Sequence, residues 1–327
     1  MDWKTVVKKF PEANFLQSPS YGKMHEIIGD KVIIDCYGKD GKEGYALMIV
    51  RNAKRGRYLE IPCGPLIDWK NKCLVNEVLD KIRQVAIKEK CVFVRMRPQL
   101  LASKQNIEML KKNGLRRSPM HLAAEHTVII DLTKTEDELL AAMRRQTRYD
   151  VRRANKLGIV VDKTNSEKIF KDFHKVQVET AKRQNFIPPD LKTLLAEREA
   201  FLDNAEIYVA KTSDDKPIAY GLVIRDGLEG DYYEAASTIL NHKLPGAHAL
   251  LWRAIRDLKA EGYQRFNLWG IAPAGQPNHR YAGVTTFKTG FGGEIVEYVP
   301  AHDLVINNVK YLKNLVVETM RKKKRHL

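Results

Sequence analysis

The stretch Glu206–Ala236, EIYVAKTSDDKPIAYGLVIRDGLEGDYYEAA, holds three β-rich runs separated by short polar turns. The runs are Glu206–Thr212, Pro217–Arg225 and Asp231–Ala236, and Asp214-Asp215 and Asp226-Gly227 stand where the chain must reverse. Turn chemistry between such runs predicts an antiparallel meander. Downstream, Gly246–Glu261 repeats apolar residues at helical spacing and stops at Gly262, and Arg265–Trp269 reads as a further strand. Upstream, Ser166–Arg183 and Asp190–Leu202 read as helices. Thr135-Glu-Asp-Glu138 is a capping-box sequence, and the helix it opens is expected to run to Leu157 and stop at Gly158.

The first part of the chain has the same style. Asp2–Phe10 predicts a helix, Lys31–Tyr37 and Gly44–Asn52 a hairpin, and Arg57–Ile61 a short strand. Lys72–Lys90 predicts a long amphipathic helix, Cys91–Met96 a strand, Lys104–Lys112 a helix and His126–Leu132 a strand. Each half therefore reads as helix, hairpin or meander, long helix, strand, which suggests a structural duplication. The order meander, helix, strand also resembles the Gcn5-related acetyltransferase (GNAT) fold. The boundary is expected near Thr133–Thr135 with no Pro/Gly/Ser-rich linker, and Asp303–Lys324 reads as a last helix.

A chain of 327 residues exceeds one small core. Its 44% hydrophobic and 29% charged residues mark a folded chain. No apolar run approaches the roughly 20 residues that span a bilayer, and the start MDWKTVVKKF lacks a signal-peptide core. The expected location is the cytoplasm. The formal charge of +16 favours anionic partners, nucleic acid or lipid headgroups, and RKKKRHL at the end concentrates part of it. Cys36, Cys63, Cys73 and Cys91 have no C-x-x-C spacing, and the histidines show no metal-binding pattern. Neither a disulfide framework nor a metal site is expected. No Walker A or dinucleotide-binding glycine motif is present.

Three stretches could carry chemistry. In LLAAMRRQTRYDVRRANKLG, Arg144, Arg148 and Arg152 recur every four residues; a solvated helix face and a phosphate-binding stripe both fit. Lys243-Leu-Pro-Gly246-Ala-His248 precedes a helix and matches only loosely the loop with which acetyltransferases bind the coenzyme A pyrophosphate. In YAGVTTFKTGFGGEIVEY (Tyr281–Tyr298), Lys288 lies between Phe287 and Phe291, beside three glycines and ahead of a strand that reads as buried.

This last stretch resembles the Fem family of non-ribosomal peptidyltransferases (FemABX), which carries Phe-Lys-x-x-Phe after a loop like His279-Arg-Tyr281-Ala-Gly. Asn14-Phe-Leu-Gln17-Ser and EHTVIIDLTKTEDELLAAMRRQTRYDVRRANKLGI are similar to further family signatures, so the resemblance spans nearly the whole chain. It implies an α+β fold of two tandem GNAT-like domains. These would be residues 1–133 with 301–327, and 134–300, the C-terminal helix returning to the first domain and no coiled-coil arm inserted. It implies an aminoacyltransferase that moves an amino acid from aminoacyl-tRNA, its co-substrate, to the stem-peptide amine of a peptidoglycan precursor. That precursor would be lipid II or its UDP-linked form. No other cofactor and no stable protein partner are expected; contact with anionic inner-leaflet lipid is.

By the same resemblance Lys288 stabilises the oxyanion or the leaving oxygen and Phe287 shapes the pocket. Lys23 binds the precursor's diphosphate. Independently of the resemblance, Tyr281, Glu234 and the spaced Arg144, Arg148 and Arg152 are candidates for contact with substrate. Two departures stand out: Pro188-Pro189 where a relative using a UDP-linked acceptor has an arginine, and Arg97 where it has an aspartate. The general base is therefore open, with Glu234 a candidate carboxylate. A coenzyme-A-dependent acyltransferase and a non-catalytic RNA- or membrane-binding protein are the alternatives.

Overall fold

A computed structural model of the chain describes residues 1–184 and 187–325. The end of the basic tail, 323–327, lies outside the described side chains. Contacts divide the chain into two compact units, Met1–Glu125 with Glu297–Leu327, and His126–Val296. The division falls one strand before Thr133–Thr135, because the strand His126–Asp131 is hydrogen-bonded into the second unit's sheet.

Unit one opens with α1 (Trp3–Lys9), α2 (Pro19–Ile28), β1 (Lys31–Tyr37), β2 (Gly44–Ala53), β3 (Gly56–Pro62) and β4 (Leu66–Ile67). It continues with α3 (Lys72–Lys88), β5 (Cys91–Arg97), α4 (Lys104–Lys112) and β6 (Arg116–Arg117). Unit two holds β7 (His126–Asp131), α5 (Glu136–Ala142), α6 (Arg145–Lys156), β8 (Val160–Thr164), α7 (Glu167–Gln184) and α8 (Leu191–Phe201). Then come β9 (Ala205–Lys211), β10 (Pro217–Asp226), β11 (Glu229–Ser237), α9 (Gly246–Ala260), β12 (Arg265–Gly270), α10 (Ala282–Thr289) and β13 (Glu294–Glu297). The chain returns to unit one as β14 (His302–Val305) and α11 (Asn308–Arg325).

The sheets run β1-β2-β3-β5-β14-β6, with β4 on β2, and β13-β7-β12-β11-β10-β9-β8. Both follow one scheme. An antiparallel meander (β1-β2-β3, β9-β10-β11) leads through a helix (α3, α9) to a parallel strand (β5, β12), which an antiparallel strand (β14, β7) then flanks. In unit one Gln17 ties the layers. Its amide nitrogen donates to the carbonyls of Leu47 (3.1 Å) and Pro62 (2.7 Å), and its oxygen accepts from the Leu47 amide at 2.8 Å. Around the return strand, buried Arg95 grips Asp303 through two bonds of 2.8 and 2.9 Å and also reaches Glu318 of α11 at 2.8 Å.

The two parallel pairs differ. In unit one β3 and β5 pair from Arg57/Cys91 to Pro62/Arg97. In unit two β11 and β12 pair only at Glu229/Arg265, Gly230/Phe266 and Asp231/Asn267, then run on separately to Ser237 and Gly270. A β-bulge at Leu222/Val223 sets Tyr232 opposite Val223 and Glu234 opposite Leu222. Residues two apart on a strand ordinarily share a face; the extra residue turns them apart. Tyr232 joins the core beneath α9, while Glu234 meets α7.

Four expectations are corrected. The helix from Thr135 is two: the chain turns extended at Met143, whose successor Arg144 donates its amide to the Gly290 carbonyl at 2.9 Å. Ala282–Thr289, left without an element in the sequence reading, is α10, and the strand after it is largely exposed. His302–Val305 is a strand, not the start of the last helix, because Asp303 pairs with Arg95 across β5. Val160–Thr164 forms an additional strand on β9.

Candidate active site

Lys288 sits in the last turn of α10, 8% exposed, and its Nζ donates to the Gly270 carbonyl at 2.9 Å, at the free end of β12. Burial alone pushes its amine down to about 7. A lysine that exchanges its proton near neutrality can hold a cation or release a proton at a developing oxyanion.

Packing fixes this helix. Phe287 stacks edge-on against His248 (5.1 Å) and Phe291 (5.3 Å), so it anchors α10 to the first turn of α9. The Thr285 hydroxyl accepts from the Ala272 amide at 2.8 Å and donates to the Tyr281 carbonyl at 2.8 Å. Gly292 and Gly293 have left-handed φ of 82° and 85°, and a side chain at Gly292 would meet the Ala142 carbonyl. These glycines approach the protein's own α5 and β7. Tyr281 is exposed at the start of α10, with Arg280 over its ring at 4.5 Å.

Where β11 and β12 part, Tyr233 and Trp269 meet edge to face at 5.2 Å. Trp269 has φ of +63°, a costly conformation for a bulky residue. Buried Asn267 holds it, accepting from the Trp269 amide at 2.9 Å and from the Thr127 hydroxyl. On β11, half-buried Glu234 accepts from the Gln177 amide nitrogen at 2.6 Å. Glu197 of α8 is buried nearby. Burial, with the Glu234 charge adding to it, pushes Glu197 well above the usual carboxylate range, and burial pushes Glu234 up to about 7. Gln177 Oε1 and Glu197 Oε2 are buried without a partner among the described residues. Near neutrality Glu234 is poised to take up a proton, and burial favours the neutral form of Glu197 beside it.

Sequence reading missed Glu197, Gln177 and Trp269. Glu197 carried a signal: it falls between Leu194 and Phe201 on a buried helix face, where an unpaired carboxylate is out of place.

The remaining predicted residues scatter. Arg144 turns its guanidinium to the Thr286 carbonyl of α10. Arg148 donates to the carbonyls of Leu140, Ala141 and Met143 and so caps α5. Arg152 is exposed, with exposed Arg145 and Lys156 on the same helix α6, whereas Arg144 and Arg148 are engaged with backbone carbonyls. Lys23 is exposed on α2 of unit one. Arg97 is buried, bonded to Gln99 (2.8 Å) and Cys63 and stacked on Tyr298 at 5.0 Å, which is structural work. At the start of α9 Asn241 accepts from the Ala247 amide at 2.9 Å, so a side chain already occupies the end where a pyrophosphate would sit. No group of three metal-binding side chains occurs, and no helix is long and apolar enough to cross a membrane, among the described residues.

A model of the FemAB family matches residues 2–211 and 189–318 of the chain. The lipid II:glycine glycyltransferase of Staphylococcus aureus is 26% identical over 227 residues, 65% of this chain. That match takes in 54% of the relative, so the chain spans about half the length of the curated relatives it matches. Among solved structures, FemX superposes with a TM-score of 0.84 at 17% identity, over 95% of this chain and 96% of the other. A tandem GNAT protein from the clavulanic acid biosynthesis pathway gives 0.52 at 9% identity, over 81% and 79%. The fold is thus two tandem GNAT-like domains, without a coiled-coil arm among the described residues.

Proposed function

The chain belongs to the FemAB family, and on that premise we propose that it is an aminoacyltransferase of cell-wall bridge formation. It would move an amino acid from aminoacyl-tRNA to the stem-peptide amine of a peptidoglycan precursor. The observation that carries the reading is buried Lys288, its amine near 7, held on the Gly270 carbonyl where β11 and β12 part. The S. aureus relative's name, a glycyltransferase acting on lipid II, supports a lipid-linked acceptor.

In this reading the neutral acceptor amine attacks the ester carbonyl of the aminoacyl-tRNA. The carbonyl electrons pass to oxygen, and the Lys288 ammonium stabilises the oxyanion by about 3 kcal/mol. Glu234 takes the proton the amine sheds, with Gln177 holding its carboxylate. As the ester C–O bond breaks, Lys288 protonates the departing ribose oxygen; solvent then restores both groups. No covalent enzyme intermediate is required. Exposed Arg145, Arg152 and Lys156 would meet tRNA phosphates, giving salt-sensitive affinity. Lys23 would meet the precursor's diphosphate, and Tyr281 the substrate at the start of α10. The protein would work in the cytoplasm, touching anionic lipid at the inner leaflet.

The test is single-turnover transfer of labelled amino acid from a set of charged tRNAs to lipid II and to UDP-linked pentapeptide, with Lys288→Ala beside wild type. Label that reaches either acceptor, and is lost in the variant while tRNA binding persists, supports the reading. Folded protein that transfers from no charged tRNA but acetylates an amine from acetyl-coenzyme A would replace it.

A further inference from the structure

Helix α11 has two unlike faces. Its inner face docks on unit one: the Tyr311 hydroxyl donates to Asp303 at 3.0 Å, Glu318 accepts from Arg95, and Asn314 accepts from Arg55 at 2.9 Å. On the opposite face Val309, Leu312, Val316 and Met320 follow one another at three- and four-residue spacing, so they form one stripe. They are 73%, 60%, 47% and 65% exposed, although nothing in the helix's own docking requires an apolar residue there. Against this stripe lies a depression of about 640 Å³, floored by Leu312, Val316 and Val317 and rimmed by Arg55, Lys310 and Lys313. The single acid of α11, Glu318, is taken inward by Arg95, so the outer face carries cations alone.

We propose that this face of α11 is a docking surface for an anionic lipid bilayer. An apolar stripe beside cations is what seats a helix in the interfacial plane: the aliphatic side chains enter the headgroup boundary while the lysines meet lipid phosphate. Arg55, on the β2–β3 turn and bonded to α11, extends the cationic rim beyond the helix. A second copy of this chain is a poor occupant, because a two-fold contact through this face would set two faces that both carry cations and no acid against each other. The inference rests on the proposed lipid contact and gives it a place, but lipid binding is read without catalysis, so the two can fail separately.

The experiment is co-sedimentation of the full chain with vesicles of pure phosphatidylcholine and of phosphatidylcholine containing about one-third phosphatidylglycerol. Wild type should pellet with the anionic vesicles and stay in solution with the neutral ones. Leu312→Ser/Val316→Ser and Lys310→Gln/Lys313→Gln should each weaken binding by about tenfold or more. Lys168→Gln/Lys182→Gln, which removes the same charge from α7, should bind as wild type. These positions are exposed, so circular dichroism should report intact folding in all three. The proposal is overturned if wild type ignores anionic vesicles, or if the α7 pair weakens binding as much as the α11 pair. It is also overturned if the serine variant binds normally, or if that variant turns a dimer of wild type into a monomer.

Discussion

Replacing Lys288 by methionine removes a buried cation, keeps an unbranched apolar chain one atom shorter, and separates what the residue does for folding from what it does for transfer. Burial takes the amine from 10.5 to about 7, which is equivalent to about 5 kcal/mol at ~1.4 kcal/mol per pH unit. Below about pH 7 the amine is charged in both the folded and the unfolded chain, and the folded state bears the whole desolvation penalty. Between there and 10.5 the unfolded chain binds more protons than the folded one, so stability rises with pH. The bond to Gly270 offsets about 1.5–3 kcal/mol of the penalty. Lys288→Met should therefore be more stable than wild type by roughly 2–4 kcal/mol near pH 6, with the gap closing by about 1.4 kcal/mol per unit above pH 7. Transfer should fall by about 10²–10³. Urea denaturation of both proteins across the pH range, beside single-turnover transfer, measures each quantity. A variant less stable than wild type near pH 6, or a stability gap that ignores pH, would refute the reasoning that this lysine is held at its position against its own burial cost.

Three further outcomes follow from the same geometry. Glu234→Gln should lower transfer by about 10²–10⁴ and remove the limb of the pH–rate profile near 7, with tRNA affinity little changed in a filter-binding assay. Glu197→Gln should hold or raise the melting temperature above pH 7: a carboxyl raised by burial must either stay protonated or ionise in the core as pH rises, and the amide does neither. Arg148→Ala should lose about 1–3 kcal/mol in chemical denaturation, from its lost bonds to the carbonyls of Leu140, Ala141 and Met143 at the end of α5, and should affect tRNA binding less than Arg152→Ala does.

The meander was legible because its signals are local: alternating β-rich runs and turn pairs such as Asp226-Gly227 need no knowledge of the rest of the chain. The burial of Lys288 was foreshadowed by the aromatic and glycine residues around it. Other features were written by distant partners. The break after Ala142 has no proline or glycine to announce it, since Ala-Met-Arg-Arg reads as helix; it arises because the Arg144 amide finds Gly290 instead. Helix α10 was hidden by Gly283 and a run of threonines, which favour loops and strands, and is held by the Thr285 bonds and the Phe287–His248 contact. The arginine stripe had the right spacing for one helix face, but the break puts Arg144 outside the helix, and Arg148 folds back to cap its neighbour. Spacing predicts which residues align; it does not predict which backbone carbonyls are already looking for a donor.

The duplication bears on why one unit carries the candidate site. Both sheets place a parallel strand beside a meander, and in both the opening for a substrate would lie between the two. In unit one that opening is shut along its length. The β3–β5 ladder continues to Pro62 and Arg97, the Arg97 side chain fills the end between Cys63 and Tyr298, and Gln17 bonds Pro62 back to Leu47. In unit two the ladder stops at Asp231 and Asn267, and the chain uses two irregularities to keep it stopped: the bulge on β11 and left-handed Trp269 on β12. Such distortions persist only where surrounding contacts impose them, as Asn267 and Thr127 do here. The consequence is chemical. A completed ladder would offer its carbonyls to the amides of the neighbouring strand; the interrupted one leaves Gly270 to accept Lys288 and turns Glu234 towards Gln177. Of the groups with proton affinities near neutrality, Glu234 thus lies on one of the strands that fail to pair and Lys288, from α10, bonds the end of the other, and the same fold, zipped closed in unit one, serves as a frame.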